Sequence, residues 1–254
     1  MPRLLPLTLS ILISGAVLVH ALPAATASPT AAELLKAMDR NLQYDSRTST
    51  MTMTVNTGRR ARTYEMLTYG RGREDAAVEY LAPERDKGTR MLKTGDNLWI
   101  YMPSSERVQK ISGHMLRQGM MGSDISYEDM LAGADFAKNY EATVTGEELI
   151  DGRMHWKMEA AARDASLAYP KRILWIDKEW LIPSRQELFA LSGMKLKTWT
   201  MSAVNVIDGH HIPMHMEVSD LLREGSKTVL DTKQMTLGVA LKDEVFSLRW
   251  LERK

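Results

Sequence analysis

Thr50-Met51-Thr52-Met53-Thr54-Val55 alternates without a break, and this stretch decides the fold class. A strand turns successive side chains to opposite faces, so Met51, Met53 and Val55 share one face and three threonines the other. Gly58 marks a turn beyond it, and Tyr64-Glu65-Met66-Leu67-Thr68-Tyr69 reads as the returning strand. Further β-rich segments follow at 76–81, 89–93, 98–102, 140–145, 155–160, 172–177, 184–189, 195–206, 212–219 and 228–237. Gly95-Asp96 reversed, Asp151-Gly152 and Asp208-Gly209 supply the turn chemistry that antiparallel hairpins need. Many short strands at near-regular spacing predict one mainly β domain, a large antiparallel sheet curled into a barrel or half-barrel.

Two segments depart from this pattern. Upstream, Ala31-Ala32-Glu33-Leu34-Leu35-Lys36-Ala37-Met38 is a run of helix formers with Ser28 or Thr30 as cap and an acid in the first turn. Between Ile111 and Tyr140 the strand period fails. There Gly119 and Gly122 flank a Met120-Met121 pair, and Ser126 and Asp129 have capping-box spacing for a short helix. The region is too long for a hairpin loop. It fits equally a fixed plug in the core and a mobile lid over an apolar cavity, because both need flexible apolar side chains.

The first 27 residues read as a cleaved signal peptide. Arg3 is the positive start, 4–19 is apolar, and Ala25-Thr26-Ala27 is a small-x-small cleavage site before Ser28. The expected organisation is therefore 1–27 signal peptide and 28–254 a single exported domain. Only Arg3 is charged in the leader, so the remainder holds 32 basic and 32 acidic residues. That balance argues against nucleic acid as a partner. With no cysteine there is no disulfide, thiol nucleophile or N-terminal lipidated cysteine.

A family resemblance rests on ordered motifs. These are Pro83-Glu84-Arg85-Asp86-Lys87-Gly88-Thr89, Leu98-Trp99-Ile100-Tyr101-Met102-Pro103, Arg107-Val108-Gln109-Lys110-Ile111-Ser112-Gly113, Met121-Gly122-Ser123-Asp124 and Tyr127-Glu128-Asp129. Downstream come Ile176-Asp177-Lys178-Glu179 with Leu181-Ile182-Pro183, Asp208-Gly209 with Ile212-Pro213, and Phe246-Ser247-Leu248-Arg249-Trp250-Leu251-Glu252. Together they resemble LolA-like outer-membrane lipoprotein-sorting proteins, in a longer and more divergent branch, over roughly 30–254. The resemblance implies an α+β half-open antiparallel β-barrel whose concave apolar face is covered by helices. It also implies a periplasmic location and lipid or an acylated lipoprotein as cargo, with an inner-membrane transporter or outer-membrane receptor as further partner.

The composition suits a lipid binder. There are 18 methionines against three phenylalanines, so much of the apolar volume is adaptable. Met51, Met53, Trp99, Tyr101, Met120, Met121, Trp175 and Trp199 are the candidate lining residues of an apolar cavity and its lid; for each alone, plain core packing is the competing assignment. No metal and no cofactor is expected. His211 and His215 share a strand face but stand about 13 Å apart, too far for one ion, so His210, His211 and His215 read as surface groups. No nucleophile elbow, phosphate loop or dinucleotide fingerprint occurs, and the chain reads as non-enzymatic. Asp124, Glu128 and Asp129 are assigned to helix capping and first-turn dipole compensation rather than acid–base work, and Arg59, Arg60 and Arg62 to a solvated turn rather than a docking point for an acidic partner or lipid headgroups.

Overall fold

The computed structural model describes residues 28–132 and 135–253. The expected signal peptide, 1–27, lies outside them.

The helix written at Ala31 forms as α1 (Ala31–Asn41). Thr30 caps it through a reciprocal box with Glu33, whose carboxylate accepts from the Thr30 N–H at 2.8 Å. Thirteen strands follow. The first six are β1 (Ser46–Asn56), β2 (Ala61–Arg71), β3 (Asp75–Ala82), β4 (Arg90–Thr94), β5 (Asn97–Met102) and β6 (Arg107–Ile111). A segment holding two 3-10 turns, Gly113–Arg117 and Met120–Gly122, then leads to α2 (Tyr127–Ala132) and α3 (Phe136–Asn139). The remaining strands are β7 (Tyr140–Ile150), β8 (Arg153–Ala162), β9 (Lys171–Asp177), β10 (Pro183–Phe189), β11 (Lys195–Ile207), β12 (His210–Asp220) and β13 (Lys227–Leu237). A 3-10 turn at Asp243–Phe246 and α4 (Leu248–Glu252) end the chain.

All thirteen strands belong to one antiparallel sheet in the order β6-β5-β4-β3-β2-β1-β13-β12-β11-β10-β9-β8-β7. Two meanders thus run outward from a central seam, where β1 pairs with β13 from Arg47 opposite Leu237 to Asn56 opposite Lys227. The outermost strands, β6 and β7, do not pair with each other, so the barrel is half-open. On β12, pairing with β13 covers only His215 to Val218. Pro213 lies just outside that stretch, where a residue without an N–H removes no ladder bond to β13.

The strand assignments made from alternation all stand, and β6 is an addition to them. Its burial explains why it was not visible: only Ile111 is buried, the remaining positions are exposed or half-buried, and an edge strand with charged positions carries no alternation signal.

Each face of the sheet has its own cover. On the concave face, Met53, Val55, Tyr64, Met66, Tyr80, Met91, Leu98 and Ile100 form one core with Met120, Ile125 and Tyr127 of the connecting segment. A second core sets Leu34, Leu35 and Met38 of α1 and Phe136 of α3 against Tyr140, Met158, Leu174 and Ile176. On the opposite face, Phe246, Trp250 and Leu251 pack over Ala77 and Leu92, with Tyr69, Trp99 and Tyr101 around them. The N-terminal helix therefore covers strands of the second meander, and the C-terminal helix covers strands of the first.

Candidate functional site

The connection from β6 to β7 must cross between the two edges of the sheet, and it does so through the concave face. Its path is set residue by residue. Gly119 permits a close approach, since a Cβ there would lie 2.0 Å from the Ser123 carbonyl oxygen. Met121 adopts φ 51° and Gly122 φ 80°, which turn the chain so that Met120 points into the core. The Tyr64 hydroxyl donates to the Met121 carbonyl at 3.3 Å.

Two buried carboxylates fasten this segment. Asp124 accepts from Ser226 Oγ at 2.5 Å and Thr228 Oγ1 at 2.7 Å, while its own N–H donates to Thr228 Oγ1 at 2.9 Å. Arg223 stands 3.5 Å from the Asp124 carboxylate and donates to the Ser123 and Gly122 carbonyls. Asp124 is thus a tie between the segment and β13, not the helix cap expected of it. Asp129 does cap α2, accepting from the Ser126 N–H at 2.8 Å, and it also accepts from Lys197 at 2.6 Å and the Tyr169 hydroxyl at 2.7 Å. Burial and the Asp129 charge raise the Tyr169 phenol above its usual range. On α1, Asp39 accepts from the N–H groups of Phe136 and Ala137, docking α3; burial pushes its carboxyl up despite both bonds.

The segment fills the β1–β6 part of the concave face, and α1 with α3 fills the β7–β9 part. Between them a cavity of about 330 Å³ remains. Its apolar wall is Leu42, Phe136, Leu188, Trp199, Met201 and Met216; its polar groups include Arg47, Arg73, Asp129, Arg172 and Gln186. A mostly apolar hollow with a few convergent polar groups is the usual form of a small-molecule site. A second, more polar hollow of about 700 Å³ opens between the connecting segment, the β8–β9 loop and the β12–β13 hairpin.

The candidate lining residues divide by face. Met51, Met53, Met120 and Met121 lie together in the packed core between segment and sheet, and Trp199 reaches the cavity. Trp99 and Tyr101 lie on the opposite face beneath the C-terminal helix, which corrects their placement toward the cavity. Trp175 is on that face too: neighbours Leu174 and Ile176 point inward, and its indole N–H donates to Glu148 at 2.7 Å with Arg185 4.2 Å over the ring. In β5 every residue from Leu98 to Met102 is apolar, so both faces are covered and alternation alone could not tell which was concave.

Arg47, Arg172, Met201 and Met216 were not among the candidates. A signal for two of them was present: Arg47 has the same strand parity as Met51 and Met53, and Arg172 that of Leu174 and Ile176, placing a charge on each apolar face.

The histidines turn to different partners. His210 meets the Tyr44 ring edge-on, His211 stacks on Trp180, and His215 bonds Asp231 at 2.7 Å. Asp231, with Glu217 beyond it, raises the His215 imidazole above its ordinary range. Arg59 and Arg60 are exposed at the β1–β2 turn, and Arg62 donates to the Tyr64 hydroxyl at 3.1 Å.

A family model described as "Uncharacterized protein" matches residues 72–253. No curated protein matches the chain. Among solved structures, a DUF1329 family protein from Desulfovibrio piger is similar at 26% identity and TM-score 0.81, over 87% of this chain and 97% of its own. A LolA superfamily protein from Nitrosomonas europaea is similar at 26% identity and TM-score 0.72, over 88% of this chain and 100% of its own. An outer membrane lipoprotein-sorting protein domain from Vibrio parahaemolyticus, at 22% identity and TM-score 0.79, shares the fold over 87% of this chain and 98% of its own. Half-open sheet, inward connecting segment and these relatives agree: the chain belongs to the family of that model and has the LolA-like fold it shares with the DUF1329 and LolA superfamily proteins.

Proposed function

We propose that this protein is a non-enzymatic periplasmic carrier or chaperone that shelters acyl chains of a lipid or lipoprotein in its half-barrel. The observation carrying this reading is the cavity walled by Trp199, Met201, Met216, Leu188 and Phe136 on the concave face, beside a segment tied to the sheet through Asp124 and Asp129. Burying an acyl chain there is favourable by about 0.8 kcal/mol per CH₂. The family's lipoprotein-sorting relatives and the leader-like sequence of residues 1–27 support the same reading. Opening would require the segment to leave β13, where Asp124 holds it, and β11, where Asp129 bonds Lys197.

Native mass spectrometry with lipid extraction, on protein purified from periplasm without detergent, tests it. Bound lipid at near one per chain is expected. Met201→Glu, a half-buried wall position, should abolish it in a protein with unchanged circular dichroism. A lipid-free protein that takes up no acyl probe would remove the carrier reading. In that event the second reading gains: a module that docks on an envelope membrane protein. It is favoured by Leu191, Met194, Leu221 and Leu222, large apolar residues exposed on two neighbouring hairpins.

A further inference from the structure

The cavity holds more positive charge than its surroundings neutralise. Arg47 and Arg172 both line it, and among the described residues no carboxylate lies within ion-pair distance of either. Arg172 donates only to neutral oxygens, the Tyr140 hydroxyl at 2.8 Å and Gln186 Oε1 at 3.3 Å. Arg47 has the Tyr44 ring at 5.7 Å and nothing anionic. The one carboxylate in the wall, Asp129, is already bonded to Lys197, Tyr169 and Ser126, and Arg73 is paired with Asp135.

The seat of Arg47 is built into the sheet. Gly70 stands directly opposite it across the β1–β2 ladder, and a Cβ at Gly70 would lie 2.7 Å from Arg47 Cζ. Glycine inside a strand weakens the strand and commonly marks a close approach. Here it makes room for a guanidinium lying against the backbone. Burial disfavours that guanidinium's charge. Guanidinium nevertheless stays protonated in proteins, and a desolvated unpaired charge is costly, so an anion at this place is stabilising.

We propose that the cavity takes a single-chain amphiphile with an anionic head, its head held by Arg47 and Arg172 and its chain by Trp199, Met201 and Met216. This rests on the carrier reading and names the ligand class for the same site. At about 330 Å³ the cavity stands at the lower end of small-molecule sites, which suits one chain better than several. A carboxylate or a phosphate monoester would satisfy the two guanidinium groups, since each accepts two parallel N–H bonds from an arginine.

Isothermal titration of lipid-stripped protein with palmitate, 1-palmitoyl lysophosphatidic acid and hexadecanol decides the matter, because the three share a chain length and differ in the head. At least one anionic ligand should bind about tenfold or more tightly than hexadecanol, as hydrogen bonds to charged groups require. Which anion binds more tightly separates a fatty acid from a phospholipid fragment as source. Arg47→Gln should bring the anionic ligand toward the hexadecanol value while leaving hexadecanol unchanged, and Arg47→Lys should restore part of the preference. Equal binding of all three by the unaltered protein overturns the proposal and leaves the carrier reading standing. Binding of none overturns both. A preference that survives in Arg47→Gln also overturns the assignment. Should that variant fold poorly, the comparison in the unaltered protein decides alone.

Discussion

Asp124 shows how much one side chain can hold. It is almost fully buried, and three groups converge on it, the hydroxyls of Ser226 and Thr228 and the Arg223 guanidinium, while its own N–H donates to Thr228 Oγ1. Asp124→Ala leaves the buried Thr228 hydroxyl without its acceptor and Ser226 with only the Asn56 carbonyl at 3.4 Å, at about 1–3 kcal/mol for an unsatisfied group. The expected outcome is a lower urea midpoint together with faster hydrogen exchange at the Met120 and Ser123 amides, which bond the Ile125 and Met120 carbonyls. Unchanged exchange at both would show that apolar packing alone seats the segment. The sequence displayed Asp124 next to a capping box but not its partners, which lie about a hundred residues away. Long-range polar contacts leave no periodicity to read. Arg47 and Arg172 did leave a signal, a charge at an apolar parity within the strand, although neither was among the candidates.

At the scale of elements, legibility followed burial. Strands with one face inside, such as β1 and β2, wrote their period into the sequence; α1 wrote its cap and its first-turn acid. α4 is only five residues long, and what makes it an element is the floor it lies on, not its own pattern. Ser247 caps it by accepting from the Trp250 N–H, and Trp250 is fully buried against the sheet. Its indole N–H has no partner among the described residues. Trp250→Ala should therefore cost about 3–5 kcal/mol in urea unfolding. Trp250→Phe should cost clearly less, because it removes the unsatisfied donor along with part of the ring. A phenylalanine variant as damaged as the alanine one would mean the donor does find a partner in solution.

Over the whole molecule, the fold class was readable because twelve of the thirteen strands repeat one simple rule, and the family resemblance because its motifs stand in order, while the location of the cavity was not. The hollow is what remains where two separate covers stop short of each other. Its walls come from β1, β9, β10, β11 and β12 together with α2 and α3. No local pattern encodes a gap between covers, which is why five of the eight candidates lie on the concave face and only Trp199 reaches the hollow. The site is in that sense a property of topology first and of residues second.

The crossed placement of α1 and α4 has a mechanical consequence. Each meander is clasped by a helix from the other half of the chain, and the two halves share a ladder at the β1–β13 seam. A chain nicked between Gln118 and Gly119 should thus stay together as two interlocked pieces without any covalent link. Co-expressed fragments 28–118 and 119–254 are expected to copurify with the strand signature of the intact protein, and either alone to be unfolded. Pieces that fail to associate would assign the holding together of the halves to the continuous connection through the concave face.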